Sequence, residues 1–126
     1  MKNLPKAVDK DLVGKYPAAT RAGGDYFYDD VLEYRVWVHP KNGRSDYFHA
    51  FEDYESALNF STATIGAEKP LVLIVQNEYI NEPEIGIFVH VNRNRTTEWN
   101  VEWLRGHKRR KNSIANFINK HAKDTC

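Results

Sequence analysis

Residues 71–76, Leu-Val-Leu-Ile-Val-Gln, restrict the fold more than any other stretch of this chain. The run is apolar without interruption from Leu71 to Val75, has the length of a strand and is rich in branched side chains. A strand with one wet face alternates apolar and polar residues, so a continuous run predicts a central strand covered on both faces. Everything else in the sequence has to be arranged around it.

The flanking segments carry weaker periodic signals that agree with this. In "VLEYRVWVH", Leu32, Tyr34, Val36 and Val38 alternate with Glu33, Arg35, Trp37 and His39, which predicts a strand with one apolar face. Pro40 and Asn42-Gly43 mark a turn into a second short strand, "DYFHAF". Tyr54, Ala57, Leu58, Ser61 and Ile65 recur at helical spacing over residues 53–65, with Asp53 or Glu52 to cap the start and Gly66 after the end. After the apolar run, "NEPE" reads as a turn, "GIFVHVN" as a strand, "NRNR" as a turn and "TTEWNVEWL" as the last strand. Ile114, Phe117, Ile118 and His121 then line one side of a terminal helix. The order β-β-α-β-β-β-α predicts an α+β domain with a mainly antiparallel sheet, whole or split, and two helices. Residues 1–24 hold no sustained period and read as a flexible N-terminal arm, leaving 25–126 as a single domain.

At 126 residues the chain has room for one ordinary core and no more. Its net charge of +1 exerts no general pull on nucleic acid or anionic membrane, yet the charge is uneven. Asp25, Asp29, Asp30, Glu33, Asp46, Glu52, Asp53 and Glu55 outnumber Arg35, Lys41 and Arg44 between residues 25 and 55. Residues 105–123 carry Arg105, Lys108, Arg109, Arg110, Lys111, Lys120 and Lys123 and no acid. The longest apolar run is far short of the roughly 20 residues needed to span a bilayer, and the N-terminus is charged where a signal peptide is apolar. Cys126 is the sole cysteine, so an internal disulfide and a cysteine-based zinc site are both excluded. A cytoplasmic protein is expected.

Together "DYFYDDVLEYRVWVHP", "DYFHAFEDYESALNF", "GAEKPLVLIVQNEYI" and "TEWNVEWL" resemble a family of small bacterial proteins often labelled GNAT acetyltransferases. That label implies a Gly-containing pyrophosphate loop at a helix start, and no such loop follows any strand here. The layout is more similar to ADP-ribosyltransferase-like modules, including non-catalytic NAD-binding ones, so the resemblance implies an α+β domain of ADP-ribosyltransferase-like layout. The resemblance implies that NAD is the cofactor, with Tyr34-Arg35 on the first strand holding phosphates, "SALNFS" on the helix, and Asn100-Val101-Glu102 on the last strand. Glu102 would be the catalytic residue, binding ribose hydroxyls and stabilising the oxocarbenium-like charge as nicotinamide leaves. Asn100 stands where that family has Gln or Glu, and "YFHAF" where it has Ser-Thr-Ser, departures that favour binding over transfer.

Each residue also has an ordinary reading. A strand guanidinium can grip a phosphate with Trp37 stacking a ring beside it, or Arg35 can be a surface arginine paired with Glu33 or a cross-strand acid. Glu98 and Glu102 would lie about 13 Å apart on one strand, too far to share a proton, and can equally be two solvated acids. His49, beside Tyr47 and Phe51, could wall an aromatic pocket for adenine or nicotinamide, or those rings could belong to the core. His39, His49 and His90 lack the spacing of a metal site. The run 105–111 offers a surface to an acidic protein partner or a second copy, or it complements the acidic segment within the chain. The aromatic strand signature of RNA-binding sheets is missing. A protein-interaction domain without a small ligand is the rival to NAD binding, and a GNAT-type enzyme the third alternative.

Overall fold

The computed structural model describes residues 3–24 and 26–122; Asp25 of the acidic segment, Lys123 of the basic end and Cys126 lie outside the described residues. Six strands and two α-helices follow the order β1 (Asp30–Val38), β2 (Tyr47–Phe51), α1 (Tyr54–Ala63), β3 (Leu71–Gln76), β4 (Tyr79–Glu84), β5 (Ile87–Val91), β6 (Arg95–Asn100) and α2 (Ser113–Ala122), with 3-10 turns at Lys10–Leu12 and Val101–Leu104. The α+β class with antiparallel pairing holds, and the strands form two sheets: a four-stranded one in the order β2-β1-β3-β6 and the β4-β5 hairpin.

The apolar run is covered on both faces, as its composition requires. Val72 and Ile74 face a core shared with Tyr34, Val36 and Trp99, while Leu71 and Leu73 are buried on the other side. A register shift between Val31 and Glu33 marks a bulge in β1. It brings Val31, rather than the expected Leu32, into the same core cluster as Tyr34 and Val36. On α1 the Asp53 carboxylate accepts the Ser56 N–H at 2.7 Å, and this hydrogen bond holds its acidity below the ordinary carboxylate range. The packed residues of that helix are Tyr54, Ala57 and Phe60; Leu58 and Ile65, expected on the buried face, are exposed.

Three departures from the expected elements bear on function. "NEPE" belongs to β4 rather than to a turn, with Pro83 inside the irregular register between Asn81 and Glu84, where a missing N–H costs the ladder little. The last strand stops at Asn100, and Val101–Leu104 wind into a 3-10 turn that buries Val101 and Leu104. The arm is not free of the sheet: Val8 N–H donates to Val31 O at 2.8 Å, Thr20 O accepts from Glu98 N–H at 3.3 Å, and Trp99 Nε1 donates to Ala22 O at 2.8 Å. The described part of the arm is a strap. It runs beside β1 where β2 has ended, since β2 pairs only with Tyr34–Val38, and finishes along the outer edge of β6, where Arg21 bridges Glu98. Among the described residues no helix is long and apolar enough to cross a membrane.

Candidate functional site

Arg35 is fully buried, and its guanidinium makes four hydrogen bonds inside the molecule. Nε donates to Glu33 at 2.7 Å, Nη1 to Glu98 at 3.2 Å, and Nη2 to the Pro17 and Tyr16 carbonyls at 2.6 and 3.4 Å. The Phe48 ring lies 4.3 Å from its Cζ. Two carboxylates around one guanidinium leave a surplus negative charge, offset by N–H donors: Gly14 N to Glu33 at 2.9 Å and Trp37 Nε1 to Glu98 at 2.9 Å. The ordinary reading of Arg35, a surface arginine paired with Glu33 or a cross-strand acid, has the partners right and the exposure wrong, since both acids are bound and the guanidinium is buried. Buried in this way the fork is closed to a phosphate, and Glu98 is part of a buried cluster rather than a solvated acid.

The other expected site residues scatter. Trp37 packs at a tilt against Phe48 beside the ion cluster, whereas His49 packs against Phe60 of α1 and Tyr47 lies at the sheet margin against His49. Asn100 and Glu102 do come together, lining a cleft of about 400 Å³ with Arg21, Lys69 and Leu71. That cleft has no aromatic wall among the described residues, and Arg35 is not part of it. Glu102 sits exposed on the 3-10 turn and not on a strand. The guanidinium and the acid therefore do not border a common crevice.

His39 and His90 pair with acids that lie outside the strands. His39 bridges Asp46, at 2.9 Å from Nδ1, and Glu68 through Nε2, and the hydrogen bond to Glu68, then that to Asp46, raise its pKa. His90 contacts Glu78 at 3.0 Å. No group of residues suited to hold a metal ion occurs among the described residues.

A larger cleft, about 600 Å³, opens where the strap meets the basic segment. Its position follows from backbone pairing: Tyr28 N–H donates to His107 O at 2.9 Å and Arg109 N–H to Tyr28 O at 2.8 Å, which draws 105–110 alongside Phe27 and Tyr28. The apolar lining comes from Leu4, Phe27, Tyr28 and Leu104, the last two buried. The exposed cations Arg105, Lys108 and Arg110 stand over it, with Ser113 of α2 at one end. Burial, reinforced by Asp30, keeps the Tyr28 hydroxyl above the usual phenol range, so it stays neutral.

The basic run divides between two roles. Arg109 holds Asp29 at 2.6 Å and Lys108 holds Asp30 at 3.5 Å, so part of it complements the acidic segment within the chain. Arg105 and Arg110 make no ion pair among the described residues. Sequence reasoning found this run and missed the cleft, because Phe27 and Tyr28 are remote from it along the chain. The pair of aromatics beside acids and the acid-free basic stretch were the available signals.

Comparison with family models, with curated proteins and with solved structures found no match.

Proposed function

We propose that this chain is a binding module for an anionic ligand of the nucleotide class, NAD or a relative, seated in the cleft between the strap and residues 104–113. The observation that carries the reading is the convergence of Arg105, Lys108 and Arg110 over an apolar lining that includes two aromatic rings. Guanidinium forks suit phosphate oxygens, a flat base gains from packing on the half-buried Phe27 ring, and the volume falls in the range of small-ligand sites. The described lining contains no carboxylate, imidazole or thiol, and the Ser113 hydroxyl accepts the Arg110 N–H at 2.7 Å. Lys108 is held by Asp30, the Tyr28 hydroxyl stays neutral and no base in the described lining stands by to activate Ser113, which favours binding over catalysis.

Calorimetric titration with NAD, ADP-ribose and coenzyme A tests this. Saturable heat is expected from at least one of them, weakening about tenfold or more in Arg105→Ala/Arg110→Ala and falling with added salt. Silence from all three at millimolar concentration defeats the reading. Coenzyme A is included because it carries the same adenine nucleotide, and a response to it alone would favour the acetyltransferase alternative.

A further inference from the structure

The β4-β5 hairpin presents an apolar tip that the other described residues do not cover. Ile85 is 99% exposed, and Ile87 and Val89, on alternate positions of β5, are 48% and 44% exposed. The other face of the hairpin is anchored: Ile80 is buried, and Phe88, between Ile87 and Val89, meets Phe117 of α2 edge-on at 5.1 Å. The tip is built rather than slack. Ile85 and Gly86 form a two-residue connection, Gly86 supplies a φ of 85°, and the Glu82 carboxylate accepts the Gly86 N–H at 2.8 Å. A pre-organised loop loses little freedom on docking, and clustered exposed apolar side chains are a common mark of contact surfaces.

The same molecule carries the matching hole. Ile85 is flanked by Glu82 and Glu84, so the tip joins an apolar knob to two acids. The strap cleft joins an apolar lining to Arg105 and Arg110. Near-complete exposure of Ile85 means that the tip does not reach its own cleft. We infer that the hairpin tip of one copy docks in the strap cleft of a second copy, Ile85 on the apolar lining and Glu84 against the rim arginines. Knob and hole are different patches, so each copy offers one of each. The inference concerns the cleft already assigned to a nucleotide but does not require that ligand, and self-association and nucleotide binding become mutually exclusive if both occupy it.

The test is sedimentation velocity of the full chain without added ligand, from micromolar to millimolar concentration. The wild type is expected to gain mass with concentration. Ile85→Asp (tip) and Arg105→Glu/Arg110→Glu (cleft rim) are each expected to stay monomeric, both changes being at exposed positions that leave the melting curve near the wild type. Mixed in equal amounts, the two variants are expected to associate again, because one retains the cleft and the other the tip. That recovered species should stop at a pair. A monomeric wild type at millimolar concentration, an Ile85→Asp chain that associates unchanged, or a mixture that stays monomeric overturns the inference. Titrating nucleotide into the Ile85→Asp chain, whose cleft is intact, reads the ligand separately, so failure of one reading does not mimic failure of the other.

Discussion

Arg35 of β1 and Glu98 of β6 meet at 3.2 Å across the intervening β3, both buried beneath the strap. The pair ties the two strands that flank the apolar run, and through Pro17 and Tyr16 it ties the strap to both. A charge cluster in this position holds a tertiary arrangement together when intact and penalises any loss of a partner.

Removing the guanidinium should therefore be costly. Arg35→Ala strands Glu33 and Glu98 without their cation and is expected to destabilise the fold by about 3–5 kcal/mol. Replacing the whole cluster, Arg35→Met with Glu33→Gln and Glu98→Gln, should recover much of that loss, because the penalty lies in the stranded carboxylates. Urea unfolding followed by tryptophan fluorescence measures both; a single variant as stable as the wild type would mean that the cluster contributes nothing.

His39 gives stability a pH dependence near neutrality. Glu68 and Asp46 raise its folded pKa above 6.5, so its contribution is full below the unfolded value and is lost as pH rises through the raised folded one. The urea midpoint of the wild type should fall across that window as pH is taken from about 5 to about 8, and His39→Gln should flatten this component. Identical profiles for the two chains would remove His39 from the account.

Two glycines share a backbone conformation and differ in surroundings, which separates strain from collision. Gly66 and Gly86 both have φ of 85°, but a Cβ at Gly66 would lie 2.6 Å from the His39 carbonyl oxygen while at Gly86 it meets nothing within 4 Å. Gly86→Ala should cost roughly 1–2 kcal/mol, the left-handed backbone penalty alone. Gly66→Ala should cost clearly more. Thermal melts of the two variants side by side give the comparison, and equal losses would show that the loop around Gly66 yields without effort.

The parts of this fold that sequence reveals are those with a period. β1 and the apolar stripe of α2 were legible because their hydropathy repeats at a fixed interval, even though β1 buries Glu33 and Arg35 as well as its apolar face, and the uninterrupted run at 71–75 correctly marked the strand with neighbours on both edges. The bulge at Leu32 was not, since one extra residue shifts the phase without leaving a trace in composition. Nor was the strap legible, because its partners are single carbonyls and side chains, such as the Tyr34 hydroxyl donating to Pro5 O at 2.5 Å, with no repeat to detect. Glu98 shows the limit most plainly: an acid alternating with Thr97 and Trp99 reads as solvated, and what buries it is an arginine 63 positions earlier. The candidate cleft depends on an equally distant pairing, Tyr28 with His107 and Arg109.

The strap also sets an order of events in folding. Ala22 waits for the indole of Trp99, 77 residues further on, and the Tyr26 carbonyl for His107, 81 residues on. Loops of that span close slowly, so the earliest-made portion of the chain is among the last to find its place. During synthesis the residues that cap the Arg35 cluster leave the ribosome long before β6 exists to receive them, and the charged face they cover stays wet until the final strand arrives.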